Sequence, residues 1–541
     1  MSSDGMAARP GFSGIALGLF ATFVVAADSP TVPIVSFAVA PPVVARTISP
    51  DIYGMAATPL RLLTNACVPL NRWGGNPTCR YNWKLGNAWN TGNDWYFENV
   101  AIETDAWRGF LRRAEVSGGR AIVTLPLVGF VAKDTASHSF SVAKYGPQEK
   151  TDRHRPDAGN GRHPGGKPIT GNDRSETSIV ADPPFVAAWV ERMTNEFPRL
   201  FAERRVLFAL GNEPMLWNVT HRDVHPEPVS CDEYLARFTA MARAVRRAAP
   251  DAWILGPELW GWPAMFQSAL DRDTKTNGDR ARHGGEDFLP WFLKQVRAIE
   301  AREGVRLLDV ATVHFYPQAE GVYSASAEPG PFALRLESTR SLWDPAYTDP
   351  SWIAQRVELI PRLRRWVQQA APGLKIGITE YNWGGENDMS GALALADVLG
   401  IFGREGLDLA CYWTYPPEGS PAALAYAMYR NVDGAGACFG DRVLDVTCLG
   451  SVEAAAVVSV YAARDSASRT VTLVVVNRSA LTRRVGIAFK GIDVEQGTAY
   501  SLQGSAEEIE RRSSPLPPWG NGVLLDMAPR SLCHLRFPPR P

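Results

Sequence analysis

The chain has 541 residues, of which 45% are hydrophobic and 21% charged, so it is long and apolar enough to form more than one folded domain. Its 56 Lys and Arg nearly balance 57 Asp and Glu, which leaves a formal net charge of −1. This balance excludes nucleic acid as a main partner, because no basic excess is available to neutralise phosphates. The 17 Trp are a high number, and many stand beside Gly, Asn and Pro, where an aromatic ring suits stacking on a flat sugar face as well as core packing.

The N-terminus has the pattern of a cleaved targeting segment. Arg9 precedes an apolar run from Phe12 to Ala27, which ends in small residues. We therefore expect residues 1–27 to be a signal peptide and the protein to be secreted. The alternative is a disordered or membrane-anchored N-terminus. No later run is long and apolar enough for a transmembrane helix, so we expect no membrane partner.

Seven cysteines are spread over the chain. In an exported protein, Cys67–Cys79 and Cys438–Cys448 are candidate disulfides because each pair is close in sequence, although spacing does not fix connectivity and an odd count leaves a free thiol. No CxxC pair or local His/Cys cluster predicts a zinc site.

Short apolar runs alternate with helix-like segments from Asp51 to Thr414. Near-continuous apolar runs are typical of strands buried on both faces of a parallel sheet. Eight strand–helix units predict an α/β fold, a (β/α)8 TIM barrel over residues 46–430. The eight runs are Asp51–Met55, Leu70–Trp73, Ala121–Leu127, Val206–Gly211, Ala252–Pro257, Leu307–Phe315, Lys375–Thr379 and Leu407–Thr414. The clearest helix-like segments are Pro184–Phe197, Cys231–Ala249, Phe288–Glu303, Ile353–Ala371 and Ser390–Glu405.

The pattern changes after Tyr429, where strand-like runs follow one another without a helix. Residues 431–541 are therefore predicted to form an additional all-β sandwich domain. Residues 28–45 contain another strand-like segment, Ile34–Val44, which we expect to join this sandwich. The predicted sandwich strands are Val452–Ala463, Thr470–Asn477, Val485–Phe489, Thr498–Leu502, Val523–Met527 and Cys533–Phe537.

Two glutamates end the fourth and seventh predicted barrel strands. Barrel active sites lie at the carboxyl ends of the strands, so the side chains of Glu213 and Glu380 can converge there. Cleavage of a glycosidic bond needs two carboxyl groups, about 5–5.5 Å apart in retaining enzymes. The pair therefore indicates a retaining glycosidase, although either residue alone is more typical of a solvated surface carboxylate. Glu258, which ends the fifth strand, is a rival carboxylate for which a structural or substrate-facing role is favoured.

The neighbours of this pair suit its chemistry. Asn212 could donate to a sugar 2-hydroxyl group, while Tyr316 and Arg72 could donate to Glu380 and keep its pKa low. Glu213 needs a raised pKa to hold its proton. A structural ion pair is the equal alternative for Arg72, and His314 is either a further donor at the rim or a core residue.

The barrel segments resemble glycoside hydrolase family 44, whose plan is a barrel with a β-sandwich. The segments that carry the resemblance are RWGGNPTCRYNW (Arg72–Trp83), SFSVAKYGPQ (Ser139–Gln148), GNEPMLWNVTHRDVHP (Gly211–Pro226), STRSLWDPAYTDPSWI (Ser338–Ile353) and ITEYNWGGENDMSGALALADVLGIFGREG (Ile378–Gly406). The polar insertion between Phe130 and Pro184 contains the second of them and should form one wall of a cleft. The stretch from Leu85 to Phe97 departs from the family pattern, so roles for Trp89 and Trp95 are in doubt.

The resemblance implies a retaining endo-β-1,4-glucanase, with activity on cellulose-type glucan, xyloglucan and in some members xylan. It places the acid/base on Glu213 and the nucleophile on Glu380. Further predicted substrate contacts are Asn76, Trp343, Trp383 and Trp413, together with the Arg72, Asn212, His314 and Tyr316 named above. Catalysis needs no cofactor. Some members hold a calcium ion, but the acidic residues Asp152, Asp157 and Glu286 are interpreted as solvated loop charges.

Two other functions stay open at this point. A catalytically inactive barrel could serve as a polysaccharide-binding protein, and a xylanase or an exo-acting β-glucosidase would use the same carboxylates. The sequence does not rank the β-1,4-linked polysaccharides that could be the substrate. We expect a monomer.

Overall fold

A computed structural model of the protein describes residues 34–450, 456–503 and 512–540. The predicted signal peptide, residues 1–27, lies outside the described residues. Among the residues described, no helix is both long enough and apolar enough to span a membrane.

Within residues 34–450, eight parallel strands close into a barrel, which confirms the predicted fold class. The eighth strand pairs with the first through Cys411 opposite Gly54 and Tyr412 opposite Met55. The first strand begins later than predicted, because Ser49 caps a 3-10 helix at Pro50–Tyr53. In chain order the barrel strands are Gly54–Ala56, Leu70–Trp73, Arg120–Leu125, Val206–Leu210, Trp253–Leu259, Val310–Phe315, Lys375–Tyr381 and Leu409–Tyr412.

Helices surround the barrel and occupy the loops at its rim. Several begin at capping residues; for example, Ser230 accepts a hydrogen bond from the backbone N–H of Glu233. The helix predicted from Ile353 begins at Leu359 instead. The α-helices of the described residues are Leu60–Asn65, Ala106–Ser117, Val142–Tyr145, Pro183–Glu196, Pro198–Ala202, Trp217–Thr220, Cys231–Ala248, Ala269–Thr274, Gly278–Arg282, Phe288–Glu303, Pro329–Glu337, Leu359–Ala370, Met389–Glu405 and Pro421–Arg430.

Two short antiparallel pairs shape the rim beyond the second and third barrel strands. Ala88–Asn90 pairs with Asn99–Ala101, and Phe130–Ala132 pairs with Ser178–Val180. The second pair joins the two ends of the long polar insertion. This arrangement holds the insertion as an ordered loop at the carboxyl end of the third barrel strand.

Nine strands of the described residues form the additional β-domain. Their order across the sheet places the N-terminal strand Ile34–Ala40 between Arg442–Cys448, its antiparallel partner, and Arg483–Phe489, its parallel partner. The strand Arg442–Cys448, which was not predicted, pairs through its first residues with one layer and through its last residues with the other. The remaining strands are Val458–Arg464, Val471–Asn477, Thr498–Leu502, Arg512–Pro515, Gly522–Met527 and Ser531–Phe537. Inner faces of both layers share one apolar core, as in a sandwich.

The helix Met389–Glu405 joins the two domains. It is buried almost throughout because one side contacts the barrel and the other contacts the sandwich. Its Asp397 accepts a hydrogen bond of 2.6 Å from the Tyr461 hydroxyl of the sandwich. One turn on, Gly400 lies so close that an added Cβ would be 2.3 Å from the Tyr461 ring.

All seven cysteines fall in the described ranges and are free thiols, so neither candidate disulfide forms. Cys79 is fully buried on the 3-10 helix Asn76–Arg80, whereas Cys67 lies in the half-buried loop after Leu60–Asn65. The Cys438 thiol donates to the Arg430 carbonyl at 3.0 Å instead of bonding Cys448.

Candidate active site

Glu213 and Glu380 converge at the carboxyl ends of the fourth and seventh strands. One oxygen of each carboxylate and a ring nitrogen of His314 all lie within 4.8 Å of one another. Glu213 follows its strand in the left-handed backbone region, with φ +44°, and its N–H donates to the Glu258 carbonyl at 3.0 Å. The Glu213 side chain is 16% exposed and that of Glu380 is 7% exposed, so both reach the open end of the barrel.

Arg72, on the second strand, is fully buried beneath this pair and holds three side chains. One guanidinium nitrogen donates to Glu380 Oε1 at 2.7 Å. Another donates to Asn212 Oδ1 at 2.9 Å and to Glu258 Oε2 at 3.1 Å. A buried guanidinium with this geometry orients the planes of its acceptors. The structural ion pair considered for Arg72 and its contact with Glu380 therefore occur together.

His314, on the sixth strand, lies between all three carboxylates. Its Nδ1 is 2.9 Å from Glu213 and 3.4 Å from Glu380, and its Nε2 is 3.5 Å from Glu258. Burial lowers the pKa of His314, but the negative Glu380 and the contacts with Glu213 and Glu258 outweigh it, so the pKa rises to about 9. The ring is therefore an imidazolium at neutral pH.

Glu258 is a fully buried carboxylate rather than a reacting group. Thr312 donates to its Oε1 at 2.7 Å, and Arg72 and His314 approach its Oε2. Burial raises the pKa of Glu258, but the hydrogen bond from His314, the charges of Arg72 and His314 and the Thr312 hydroxyl lower it to about 2. With both oxygens occupied and no exposed surface, Glu258 anchors the two cations that contact Glu213 and Glu380.

The electrostatic environment of Glu213 suits a proton donor. Burial raises the pKa of Glu213 above its ordinary value, and the negative Glu380 adds to the rise, while the hydrogen bond and charge of His314 oppose it. Glu380 accepts at both oxygens, from Arg72 at Oε1 and from the Tyr316 hydroxyl at Oε2, 2.9 Å away. Glu213 is therefore in contact with the His314 ring, whereas Glu380 accepts a hydrogen bond at each of its two oxygens.

Asn212, Asn76 and Asp94 form a chain of hydrogen bonds that leads from Arg72 toward the rim of the barrel. Asn212 donates to Asn76 Oδ1 at 3.0 Å, and Asn76 donates in turn to the Asp94 carboxylate at 3.2 Å. Burial raises the pKa of Asp94 although Asn76 opposes the rise. Sequence reasoning missed Asp94, which lies in the stretch that departs from the family pattern. It also missed Tyr323, a half-exposed ring 5.2 Å from the Tyr316 ring.

Trp413 lies at the carboxyl end of the barrel, beside Gly75. It follows the eighth strand, its N–H donates to the Tyr381 carbonyl at 2.9 Å, and its peptide bond to Thr414 is cis. An added Cβ on Gly75 would be 2.7 Å from the indole. Gly75 has φ +95°, so both its backbone conformation and the indole require glycine there.

Two predicted substrate contacts are corrected by the structure. Trp383 is only 3% exposed, and its indole N–H donates to Ser338, so its ring belongs to the core behind the seventh strand. Trp343 lies beside the helix Met389–Glu405, where the Arg404 guanidinium covers its ring at 4.2 Å from the centroid.

Glu213, His314 and Glu380 are also spaced closely enough to ligate one ion. The Arg72 guanidinium and the imidazolium of His314 already neutralise these carboxylates, so a further cation there would meet two positive charges. The donor set fits proton transfer and nucleophilic attack better than metal binding.

Comparisons with known proteins show the family of this chain. Residues 88–319 match the model of glycoside hydrolase family 44. The structure of CelM2, a bifunctional glucanase-xylanase from a metagenome library, is 36% identical with a TM-score of 0.89, covering 94% of this chain and 100% of that one. The chain belongs to glycoside hydrolase family 44.

Two further family relatives extend the comparison. A family 44 xyloglucanase of Paenibacillus polymyxa, solved with xyloglucan, is 26% identical with a TM-score of 0.78, over 94% of this chain and 100% of that one. Endoglucanase A of Paenibacillus lautus is 30% identical over 80% of this chain. The chain spans 62% of the length of that curated relative.

Proposed function

We propose that this protein is a retaining endo-β-1,4-glucanase in which Glu213 is the acid/base and Glu380 the nucleophile. The observation that carries the proposal is the approach of the two carboxylates to within 4.8 Å at the barrel mouth. Retaining glycosidases place their carboxyl groups about 5–5.5 Å apart, whereas inverting enzymes need about 6.5–9.5 Å to admit a water.

In the first step Glu380 attacks the anomeric carbon and the bond to the glycosidic oxygen breaks. Glu213 delivers its proton to that oxygen, so the leaving sugar departs with a neutral hydroxyl group. The raised pKa of Glu213 keeps this proton available. Arg72 and Tyr316 fix the orientation of Glu380 toward the carbon.

In the second step water attacks the same carbon and breaks the ester bond to Glu380. Glu213, now a carboxylate, accepts the proton of that water. Both residues return to their starting states, and the product keeps the configuration of the substrate. Asn212, held by Arg72 and Asn76, is placed to donate to the sugar 2-hydroxyl group.

The proposed substrates are soluble and cell-wall β-1,4-glucans, including xyloglucan, with xylan as a second activity. The relatives support this range, since their names include an endoglucanase, a xyloglucanase and a glucanase-xylanase. The occupied and oriented carboxylates argue against a purely sugar-binding barrel. Export through residues 1–27 and a monomeric state remain predictions.

The decisive experiment compares the wild-type protein with Glu213→Gln and Glu380→Gln on carboxymethylcellulose, xyloglucan and xylan. Each amide variant should lose at least about 10³-fold in kcat, since it removes proton transfer or the nucleophile. Glu418→Gln, an exposed carboxylate in the loop after the eighth strand, is the matched control. Equal sugar release by all four proteins would refute the assignment, and early products of inverted configuration would refute the retaining mechanism.

We further propose that a structural calcium ion, as some family members hold, is bound at Glu98 and Asp152. Both carboxylates are 2% exposed, which corrects the interpretation of Asp152 as a solvated charge. Glu98 Oε1 is buried without a hydrogen-bond partner. Burial and the neighbouring Asp152 raise the pKa of Glu98 to about 7 despite Arg155. Buried carboxylate oxygens of this kind fit Ca²⁺.

Calcium addition to chelator-treated protein should raise the Tm of the wild type and leave that of Glu98→Gln unchanged. Glu286→Gln, whose carboxylate pairs with Lys294 at the surface, is the control and should respond like the wild type. No rise in the wild type would contradict the proposal.

A further inference from the structure

A second group of metal-ligating side chains lies outside the catalytic pair. In the part of the chain that the structure describes, Cys231, Asp279 and His283 each offer one ligand atom, and the three atoms lie within 4.8 Å of one another. Asp232, next to Cys231, is an exposed carboxylate at the edge of this group, with its Oδ1 3.5 Å from the His283 Nε2. The residues come from two segments about 50 positions apart, so no local spacing in the sequence reveals them.

The two distances from His283 to its neighbouring carboxylates fit coordination better than hydrogen bonding. The His283 Nε2 is 3.7 Å from Asp279 Oδ1 and 3.5 Å from Asp232 Oδ1, and it makes no hydrogen bond to either. Ligands of a tetrahedral zinc ion, with bonds of about 2.0–2.3 Å, are separated by roughly 3.3–3.6 Å. The 3.7 Å separation of His283 from Asp279 is close to one edge of such a tetrahedron.

One ligand atom in the group lacks a partner. The His283 Nε2 is buried and has no hydrogen bond, although its side chain is 85% covered and directed at two carboxylates. Buried polar atoms in folded proteins are almost always paired, so this nitrogen requires an explanation. A cation between the nitrogen and the carboxylates supplies one.

We propose that Cys231, Asp279 and His283 form a zinc site that fastens the loop after the fifth barrel strand to the start of the helix Cys231–Ala248. A thiolate and an imidazole are ligands that Zn²⁺ prefers and that Ca²⁺ and Mg²⁺ avoid. On binding, the Cys231 thiol releases its proton to solvent and its sulfur bonds the metal. Asp279 already links the two segments, since its Oδ2 accepts from the Cys231 N–H at 2.8 Å.

The site is structural rather than catalytic. Its three ligands lie outside the catalytic pair, and the exposed Asp232 carboxylate or a water molecule would complete the tetrahedron. Arg282, whose guanidinium is 3.0 Å from Asp279 Oδ1, would stay as a charge partner of that carboxylate. The segment held in this way includes the helix Gly278–Arg282 and leads into Phe288–Glu303, so the metal would stabilise one wall of the barrel rim.

The test uses the full-length protein after chelator treatment and removal of the chelator. Zn²⁺ is titrated by calorimetry, Co²⁺ is added to detect the thiolate-to-cobalt absorption band, and the Tm is measured with and without Zn²⁺. The variants are Cys231→Ser and His283→Ala. Cys448→Ser and His163→Ala remove the same side-chain types elsewhere and serve as controls.

We expect the wild type and both controls to bind one Zn²⁺ per chain, to show the cobalt band and to gain Tm. Cys231→Ser should lose the band, and both site variants should bind Zn²⁺ at least about 10-fold more weakly while keeping hydrolytic activity. Absence of the band in the wild type, its retention in Cys231→Ser, or equal zinc affinity in His283→Ala would overturn the proposal. None of these readouts depends on the assignment of Glu213 and Glu380.

Discussion

The buried carboxylate of Glu258 lies 3.1 Å from the guanidinium of Arg72, and neither side chain is exposed to solvent. Through this contact a residue that does not face the cleft determines how Arg72 holds Glu380 and Asn212. A buried ion pair of this kind is costly to break from one side, because the remaining charge loses its partner without gaining water.

Glu258 should make stability depend on acidic pH. Its pKa is about 2 in the folded protein against an ordinary value of 4.5, so the stabilisation is fully present above pH 4.5 and is lost as pH falls toward 2. A shift of this size corresponds to about 3 kcal/mol. Urea unfolding across this range should show the loss in the wild type and a flatter dependence in Glu258→Gln, with Glu418→Gln resembling the wild type. An unchanged slope in Glu258→Gln would contradict the role.

His314 should set the alkaline limit of activity. The proposed first step needs protonated Glu213, so kcat/KM should fall as pH rises through the pKa of Glu213. The positive His314 lowers that pKa, whereas Glu380 raises it and Arg72 lowers it. His314→Asn removes the largest opposing charge and should move the alkaline limb to higher pH. Tyr316→Phe, which removes only a donor to Glu380, should lower kcat without this movement. The prediction fails if both variants leave the limb in place.

Replacement of Trp413 should weaken substrate binding, whereas replacement of Trp343 should lower stability. Trp413→Ala removes an indole at the barrel mouth and should raise KM about 10-fold, equivalent to about 1.4 kcal/mol of lost contact with the sugar. Trp343→Ala should leave KM unchanged and lower the Tm, because it removes the stacking partner of Arg404. Michaelis kinetics on xyloglucan, with thermal unfolding of both variants, separates the two effects. A raised KM in Trp343→Ala would instead support the sequence-based prediction that Trp343 contacts the substrate.

Gly400 and Gly403, two glycines on one helix, should differ in how much stability they lose when replaced by alanine. A Cβ on Gly400 would be 2.3 Å from the Tyr461 ring, whereas a Cβ on Gly403 would be 3.3 Å from the flexible end of Ile48. Gly400→Ala should therefore cost about 1–3 kcal/mol of stability by forcing the sandwich away from the barrel. Gly403→Ala should be near neutral, since alanine favours the helix by about 1 kcal/mol. Differential scanning calorimetry checks this, and equal melting of the two variants would contradict it.

The sequence was sufficient for the barrel because its signal is local. Near-continuous apolar runs such as that in Val206–Leu210 are typical of strands that are buried on both faces, and eight of them between helices favour a closed barrel. The order of the strands was then enough to predict that Glu213 and Glu380 lie close together, because this prediction does not depend on side-chain contacts. The strand Arg442–Cys448 escaped prediction because it serves two layers and lacks a single alternating face.

The sequence by itself thus determined the fold class and the two carboxylates, since periodicity and strand counting depend on neighbouring residues. Only the tertiary structure decided which polar residues meet: the anchoring of Arg72 by Glu258, the contact of Asp94 with Asn76, and the approach of His283 to Cys231. It also moved Trp343 and Trp383 away from the cleft. The reason is physical: Trp383 lies just past a strand end and Trp343 follows a 3-10 helix, and in both places loop closure over many residues, rather than local sequence, fixes the direction of the indole.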